Sequence, residues 1–413
     1  MDAQVLILGG GAAGLMAGVA LARSGHRVLL LEKGARVGKK LAATGNGRCN
    51  LTNLRACPGD YGNAEAFVTP ALTAYPPAQV MRFFHSMGVV FAPDEEGRVY
   101  PMSNQASSVL DALRASFAEA GGVEQTEFRV DRIARKNGFW QAHSEDGQTL
   151  SAPYMLCALG GQAAPNLGGC ADGLHLMHGV GHRTRPCFPA LAPLKCDHPR
   201  LRALKGIRAA GSVSLVIDGK TVATESGEIL FQDYGLSGIA VMQLSGAAAQ
   251  ALAHHQPVEL EMNLCGLTQA QALTRLTERR ALLAPRSLEN YLTGWLPKRL
   301  GQTLVRLCGA DDLMAATDSL TDAQLQALSR LMTGWTLPVT ASLGFQQAQV
   351  TRGGLDRADF DPETMASRLQ AGLYAAGEVL DVDGPCGGYN LQWAWASALL
   401  AARSISGRLA ARR

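Results

Sequence analysis

The sequence predicts an α/β chain: a parallel-sheet domain assembled from both ends of the chain and interrupted by an insert. Three observations predict it. Gln4 to Leu8 is an apolar run ending in glycines, residues 12–24 read as an Ala-rich helix, and His26 to Glu32 reads as a second strand. Between about 190 and 340 the texture changes, with strand-like pieces at Ser212–Ile217, Ile229–Gln232 and Val258–Met262, then Leu-, Ala-, Gln- and Arg-rich helical sequence over 268–334. From Thr340 Gly-rich β patterning returns, and an apolar helix from Leu391 to about Leu409 closes the chain. We therefore place the first part of the domain at 1–190, an insert at 191–337 (β-rich 191–266, helical 267–335) and the second part at 338–413. With 413 residues, 18% charged residues and 46 glycines, the chain is long enough for two or three cores and rich in tight turns.

The turn between the first strand and helix is Gly9-Gly10-Gly11-Ala12-Ala13-Gly14, a G-x-G-x-x-G string. The first glycine permits the turn, the second lets backbone approach a pyrophosphate, and the third brings helix close to strand; the helix N-terminus adds free N–H groups and a positive dipole. Glu32 ends the second strand, 18 residues beyond Gly14. A carboxylate there accepts a ribose hydroxyl hydrogen bond and repels a 2′-phosphate. The string therefore predicts a Rossmann-like site for the ADP-ribose of FAD or NAD, and not for NADP.

The segment after the second strand favours FAD. Instead of another βαβ unit, residues 33–55 form a Gly- and amide-rich stretch carrying Lys33, Arg36, Lys39, Lys40, Arg48 and Arg55 and no acid. Such a stretch suits a second phosphate and the polar edge of a flavin ring. We read Lys33, Lys40, Leu41, Gly45, Asn46, Gly47 and Arg48 as cofactor-binding.

Ala43-Thr44-Gly45-Asn46-Gly47-Arg48-Cys49-Asn50-Leu51-Thr52-Asn53 resembles the SGGGRCNxTN signature of the BaiN-like and YhiN-like flavoproteins, often catalogued as aminoacetone-oxidase-family FAD-binding enzymes. Gly372 to Gly384 with Gly387-Gly388-Tyr389-Asn390-Leu391-Gln392-Trp393-Ala394-Trp395-Ala396 is similar to a second signature, and Gly227-Glu228-Ile229-Leu230-Phe231 with Gly235-Leu236-Ser237-Gly238 to a third. Gln232 stands where the family has Thr, and Pro385-Cys386 precedes the paired glycines. The resemblance implies a discontinuous, glutathione-reductase-type FAD domain with a β-barrel-like plus helical insert. It implies that Gly377 and Glu378 meet the ribityl chain. It also implies that Gly387, Gly388, Tyr389, Asn390 and Leu391 present a helix N-terminus to the flavin pyrimidine edge, where reduced flavin carries negative charge. Tyr154 to Gly161, with Ala158, Gly160 and Gly161 at its end, looks like the strand that closes over the cofactor; Val130 is a candidate for the adenine.

Cys49 and Cys386 fall in the motifs expected beside the flavin, where a thiol suits protonation of carbon after hydride addition. Arg48 and Asn50 are the alternative catalytic or positioning residues. His175, His178 and His182 have helical spacing, but no carboxylate or thiol joins them, so no metal site is expected. No G-x-S-x-G string supports hydrolysis. The formal net charge is only +3, yet residues 183–208 set seven basic groups against Asp197 alone. Residues 275–306 set seven, Arg279, Arg280 and Arg299 among them, against Glu278 and Glu289. These patches on the insert suit either solvated faces or an RNA, including ribosomal RNA.

The chain thus reads as an FAD-dependent oxidoreductase that uses NADH or NADPH as a transient reductant, since only one dinucleotide turn is visible. The resemblance supplies two substrates for C=C reduction, a ribosomal RNA uridine (giving dihydrouridine) or a steroid-like enone. A flavin-dependent amine oxidase and a non-enzymatic RNA- or ribosome-binding flavoprotein are the alternatives. Nine cysteines without C-x-x-C spacing, no secretory signal and no long apolar run predict a cytoplasmic protein without a membrane span.

Overall fold

The structure, a computed structural model, describes residues 3–411. It divides into two compact units: one runs to Cys187 and resumes at Val350, the other is Phe188–Gln349. Each has its own apolar core.

The first unit is built on a five-stranded sheet in the order Leu373–Ala375, Tyr154–Cys157, Val5–Leu8, Val28–Leu31 and Val123–Gln125. Every neighbouring pair is parallel. Val5–Leu8 and Val28–Leu31 are buried at every position, as unalternating Val/Leu/Ile runs demand of strands covered on both faces. The helix Ala12–Arg23 begins directly after the glycine turn and is buried through Gly14, Leu15, Met16, Gly18 and Val19. A Cβ on Gly18 would stand 3.1 Å from the Phe117 ring, so the small residue is what lets Phe117 fill this face. The closing helix is Tyr389–Ala410, two residues longer at its start than the apolar pattern predicts.

Residues 33–55 are not all loop. A helix runs over Lys39–Gly47, and its regular turns stop at Thr44, Gly45 and Asn46, whose φ/ψ angles are non-helical. The sequence conceals this helix because it is short and only Leu41 is buried. The strand containing Val130 is Val130–Lys136, and it pairs with Phe139–Ser144. Among the described residues no helix is long and apolar enough to cross a membrane.

The second unit contains a closed six-stranded antiparallel barrel. Its last strand is Trp335–Ser342, which pairs with both Val258–Asn263 and Leu194–Cys196. That closure keeps residues 338–342 with the insert, so the return to the first unit comes at 349/350 rather than 337/338. Helices Gln269–Leu283 and Asp322–Gly334 each open with a capping box, Thr268 with Gln271 and Thr321 with Gln324.

Several basic residues of the insert have intramolecular partners. Arg279 donates to the Tyr291 and Thr293 carbonyls, Arg280 to the Leu320 carbonyl and Asp322, and Arg299 to the Ala203 carbonyl. Lys205 pairs with Asp233, Arg208 with Glu228 and Lys298 with Glu289. Arg279→Gln is therefore expected to loosen the insert, by about 1.5–3 kcal/mol for charge-assisted bonds left unmade, and to leave FAD content unchanged. Urea unfolding followed beside flavin absorbance checks it; unaltered stability would return Arg279 to a ligand-facing role.

Candidate functional site

The C-terminal ends of the parallel strands converge on the glycine turn. Gly9 has φ +101°, and a Cβ on it would lie 2.5 Å from the Ala158 carbonyl oxygen. A Cβ on Gly14 would lie 1.9 Å from the Gly9 oxygen, whereas one on Gly11 would meet nothing within 4 Å. So Gly9 and Gly14 are fixed by packing, and Gly11 faces open space. No side chain caps the helix that begins at Ala12, and its first turn, with Ala13 and Gly14, holds no acid. This leaves room and positive potential for an anion.

Glu32 is half-buried and its carboxylate accepts two backbone N–H groups, Gly10 at 2.9 Å and Gly34 at 2.8 Å. The first ties the glycine turn to the end of the second strand, and the second fixes the chain just after it. Phe128 N–H donates to the Glu32 carbonyl and Glu127 N–H to the Gly34 carbonyl, which brings the segment leading to buried Val130 beside this edge. Lys33 points elsewhere: its Nζ lies 2.8 Å from Cys170 Sγ and 3.2 Å from Asp172. Glu32→Ala is expected to weaken FAD binding by about 1.5–3 kcal/mol, through lost charge-assisted bonds, with the purified variant losing flavin on dilution. Equal occupancy and affinity in variant and parent would remove Glu32 from the site.

The second signature is pinned to the same place from several directions. Gly377 donates its N–H to Ser397 Oγ and accepts from Trp393 Nε1, and a Cβ on it would stand 2.9 Å from the Ala13 methyl. Glu378 receives Lys40 Nζ at 2.8 Å on one oxygen and Thr351 N–H at 2.9 Å on the other. The Thr351 hydroxyl accepts from Ala163 N–H, and a Cβ on Gly161 would collide with that hydroxyl at 2.5 Å. Ala158 and Gly161 are buried here, and a Cβ on Gly160 would find open space. Lys40, Glu378 and the Gly160-Gly161 turn thus form one network beside the glycine turn.

The two long signatures interlock. Trp395 Nε1 donates to the Leu51 carbonyl at 2.8 Å, Thr52 Oγ1 to Gln392 Oε1 at 2.7 Å and Asn53 Nδ2 to the Gly387 carbonyl at 3.0 Å. Asn390 clips its own entry loop, accepting Gly384 N–H and donating to the Gly384 and Pro385 carbonyls. Tyr61 donates to the Tyr389 carbonyl, and Leu391 is half-buried. Gly388 caps the helix at φ +102° with no side-chain cap. Asn50 Oδ1 is buried without a hydrogen-bond partner, and a Cβ on Gly388 would approach it to 2.8 Å. An unsatisfied acceptor at this cap calls for a donor from a bound molecule or water. Opposite, Gly45, Asn46 and Gly47 all have positive φ, and exposed Arg48 stacks on Tyr100 with its guanidinium carbon 4.7 Å from the ring centre.

Cys49 does not present its thiol to an open face. It is fully buried, at φ +60°, and burial pushes its thiol up to about 12 while a Thr44 hydrogen bond works the other way. Cys49 packs among the apolar residues of the first core. Cys49→Ala is expected to cost about 1–3 kcal/mol of stability, yet to leave flavin reoxidation by substrate at the parent rate, as rapid-mixing absorbance would record. Slowed reoxidation with intact stability would restore the catalytic role. Cys386 is only half-buried; burial raises its thiol and Arg98 acts against that rise. Among the histidines, His182 leaves the helix surface: it is buried, bonded to the Met177 carbonyl and Ser367 and stacked on Phe360. Among the described residues no group of three His, Cys, Asp or Glu could hold a metal ion.

Thr351 and Ser397 were not legible as site residues. Thr351 lies in Val350–Leu355 with no motif around it, and Ser397 reads as one small residue in an apolar helix.

The packed Gly9 and Gly14, the open faces of Gly11 and Gly160, the uncapped helix start, Glu32 and the unsatisfied Asn50 oxygen together fit FAD along one continuous edge of the sheet. Fold and cradle define a Rossmann-type nucleotide-binding flavoprotein. The chain belongs to the HI0933-like family: the profile described as the HI0933-like protein Rossmann domain matches residues 3–404. It is a flavin-dependent oxidoreductase. It is 35% identical over 412 residues to a 3-dehydro-bile acid delta(4,6)-reductase of Clostridium scindens, covering 98% of this chain and 99% of that one. It is 31% identical over 405 residues to a ribosomal RNA dihydrouridine synthase of Escherichia coli, covering 97% and 98%. The fold also resembles the 3-ketosteroid delta1-dehydrogenase of Sterolibacterium denitrificans, at TM-score 0.54 and 13% identity over 98% of this chain and all of that one.

Proposed function

We propose that the protein uses FAD, reduced transiently by NADH or NADPH, to saturate an electron-poor C=C bond of a small conjugated enone. The observation that carries this reading is that the two relatives named above, each matched over nearly its whole length, are named for saturating a conjugated C=C. Bound FAD supplies a two-electron centre that accepts and delivers hydride. The chain's residues do the rest. Gly11 and the uncapped helix start receive the pyrophosphate, Glu32 the ribose, and Glu378, held by Lys40 and Thr351, the ribityl hydroxyls. Asn50 and the cap at Gly388 stand at the pyrimidine edge. The proton for the second carbon comes from Cys386 rather than Cys49. Its partial burial keeps the thiol protonated at neutral pH, as a donor must be.

A small enone is favoured over RNA because Arg208, Arg279, Arg280 and Arg299 of the insert are engaged by carbonyls and carboxylates of the chain itself. A ribosomal RNA uridine is the second reading, favoured by the Escherichia coli and Haemophilus influenzae synthases that match 97% of this chain. The reaction is placed in the cytoplasm, where reduced nicotinamide is supplied. Anaerobic addition of NADH or NADPH to the yellow protein tests the donor: bleaching by either supports the reductase, and persistent colour with both, together with bleaching by an amine, turns the reading to the amine oxidase.

A further inference from the structure

Lys33, Cys170 and Asp172 form a triangle that the cofactor cradle does not use. Lys33 Nζ lies 2.8 Å from Cys170 Sγ and 3.2 Å from Asp172 Oδ2. The Cys170 side chain also hydrogen-bonds Asp172, and Arg129 reaches the same carboxylate at 3.4 Å. The two partners come from distant parts of the chain. Lys33 comes directly after Glu32 at the end of the second strand; Cys170 is anchored by its N–H to the Gly161 carbonyl, in the loop after Tyr154–Cys157. Both are partly open to small solutes, with 29% of the Lys33 side chain exposed and Cys170 of intermediate burial.

A thiol beside an ammonium is set up for attack on a peroxide, because the cation faces the negative charge that develops on sulfur. A sulfenic acid so formed is captured by a nearby nitrogen when one is in contact. We propose that Lys33 and Cys170 are a peroxide-driven modification site, at which oxidation joins them through a sulfur–nitrogen bond. In the first step Cys170 sulfur takes one oxygen from hydrogen peroxide, the O–O bond breaks, sulfur is oxidised by two electrons and water leaves. In the second, Lys33 first releases one ammonium proton to solvent and its nitrogen then attacks that sulfur; the S–N bond forms, the S–O bond breaks and the hydroxide departs as water with a second proton from that nitrogen. The resting amine is held charged: burial opposes its charge, but Cys170 and Asp172 outweigh that and raise its pKa. The pair therefore stays unlinked until sulfur is oxidised. The product staples the turn after Glu32 to the loop after Cys157.

Cys157 is the competing thiol, yet it is completely buried and its burial pushes the thiol up to about 12, so it forms thiolate poorly. The test treats the purified flavin-loaded protein with hydrogen peroxide, alkylates free thiols, and maps peptides by mass spectrometry after proteolysis without reductant. The expected result is a linked peptide pair containing Lys33 and Cys170, lighter by two hydrogen atoms than the unlinked pair, with loss of cleavage after Lys33 and release by dithiothreitol. Lys33→Arg, which keeps the charge, is expected to abolish the link and carry Cys170 on to sulfinic acid. A Cys157–Cys170 disulfide, a Cys170 that stays alkylatable, or sulfinic acid at Cys170 of the parent protein without any linked peptide would overturn the assignment.

Discussion

Gly14→Ala is expected to leave the protein without bound FAD and to destabilise the first unit by roughly 3 kcal/mol or more, above the usual cost of an extra core methylene. The added methyl would lie 1.9 Å from the Gly9 carbonyl oxygen, which is backbone in the turn itself. Gly9 is itself held in place, since even a Cβ on it would lie 2.5 Å from the Ala158 carbonyl oxygen and its N–H is bonded to the Leu31 carbonyl. Relief would have to come from lifting the helix Ala12–Arg23 off the sheet. Gly11→Ala is the control: its methyl meets no protein atom, so stability should stay at the parent value while flavin affinity falls. Thermal unfolding and flavin titration of the two variants separate these outcomes. A stable, yellow Gly14→Ala protein would contradict the packing account of the turn.

Gly388→Ala is expected to have the next largest effect. Its φ of +102° lies where a Cβ is strained, and the methyl would sit 2.5 Å from the Thr52 carbonyl carbon and oxygen. Left-handed strain of about 1–2 kcal/mol adds to an overpacking cost of about 1–3 kcal/mol. The lesion separates the two long signatures at the point where Thr52, Asn53, Gly387 and Gln392 join them, so lost flavin should accompany lost stability. Visible absorbance and melting temperature of the variant report both. Parent-like values in each would mean that the helix start is not part of the cofactor site.

The βαβ opening was legible because each element carries a local signal: apolar runs for buried strands, glycines for the turn, small residues for the helix face. The two signatures were legible as strings, and their meeting through Trp395 and Leu51 is what the structure adds. Other features depend on distant contacts and leave no local trace. Cys49 reads as a reactive thiol from its neighbours in sequence, yet the fold buries it completely. Arg279 and Arg280 read as part of a basic patch because their backbone-carbonyl acceptors are not displayed by composition. Lys33 reads as a phosphate contact because Cys170 and Asp172 lie more than a hundred residues away.

Reduced flavin in this cradle is expected to saturate a conjugated C=C bond, and the most direct measurement of that step is anaerobic. Flavin-loaded protein is chemically reduced, mixed with a steroid-like enone, and followed by flavin absorbance with product analysis. The expected result is return of the oxidised flavin spectrum and an equal amount of saturated product. Flavin that stays reduced with the enone, and equally with uridine-containing ribosomal RNA, would contradict it.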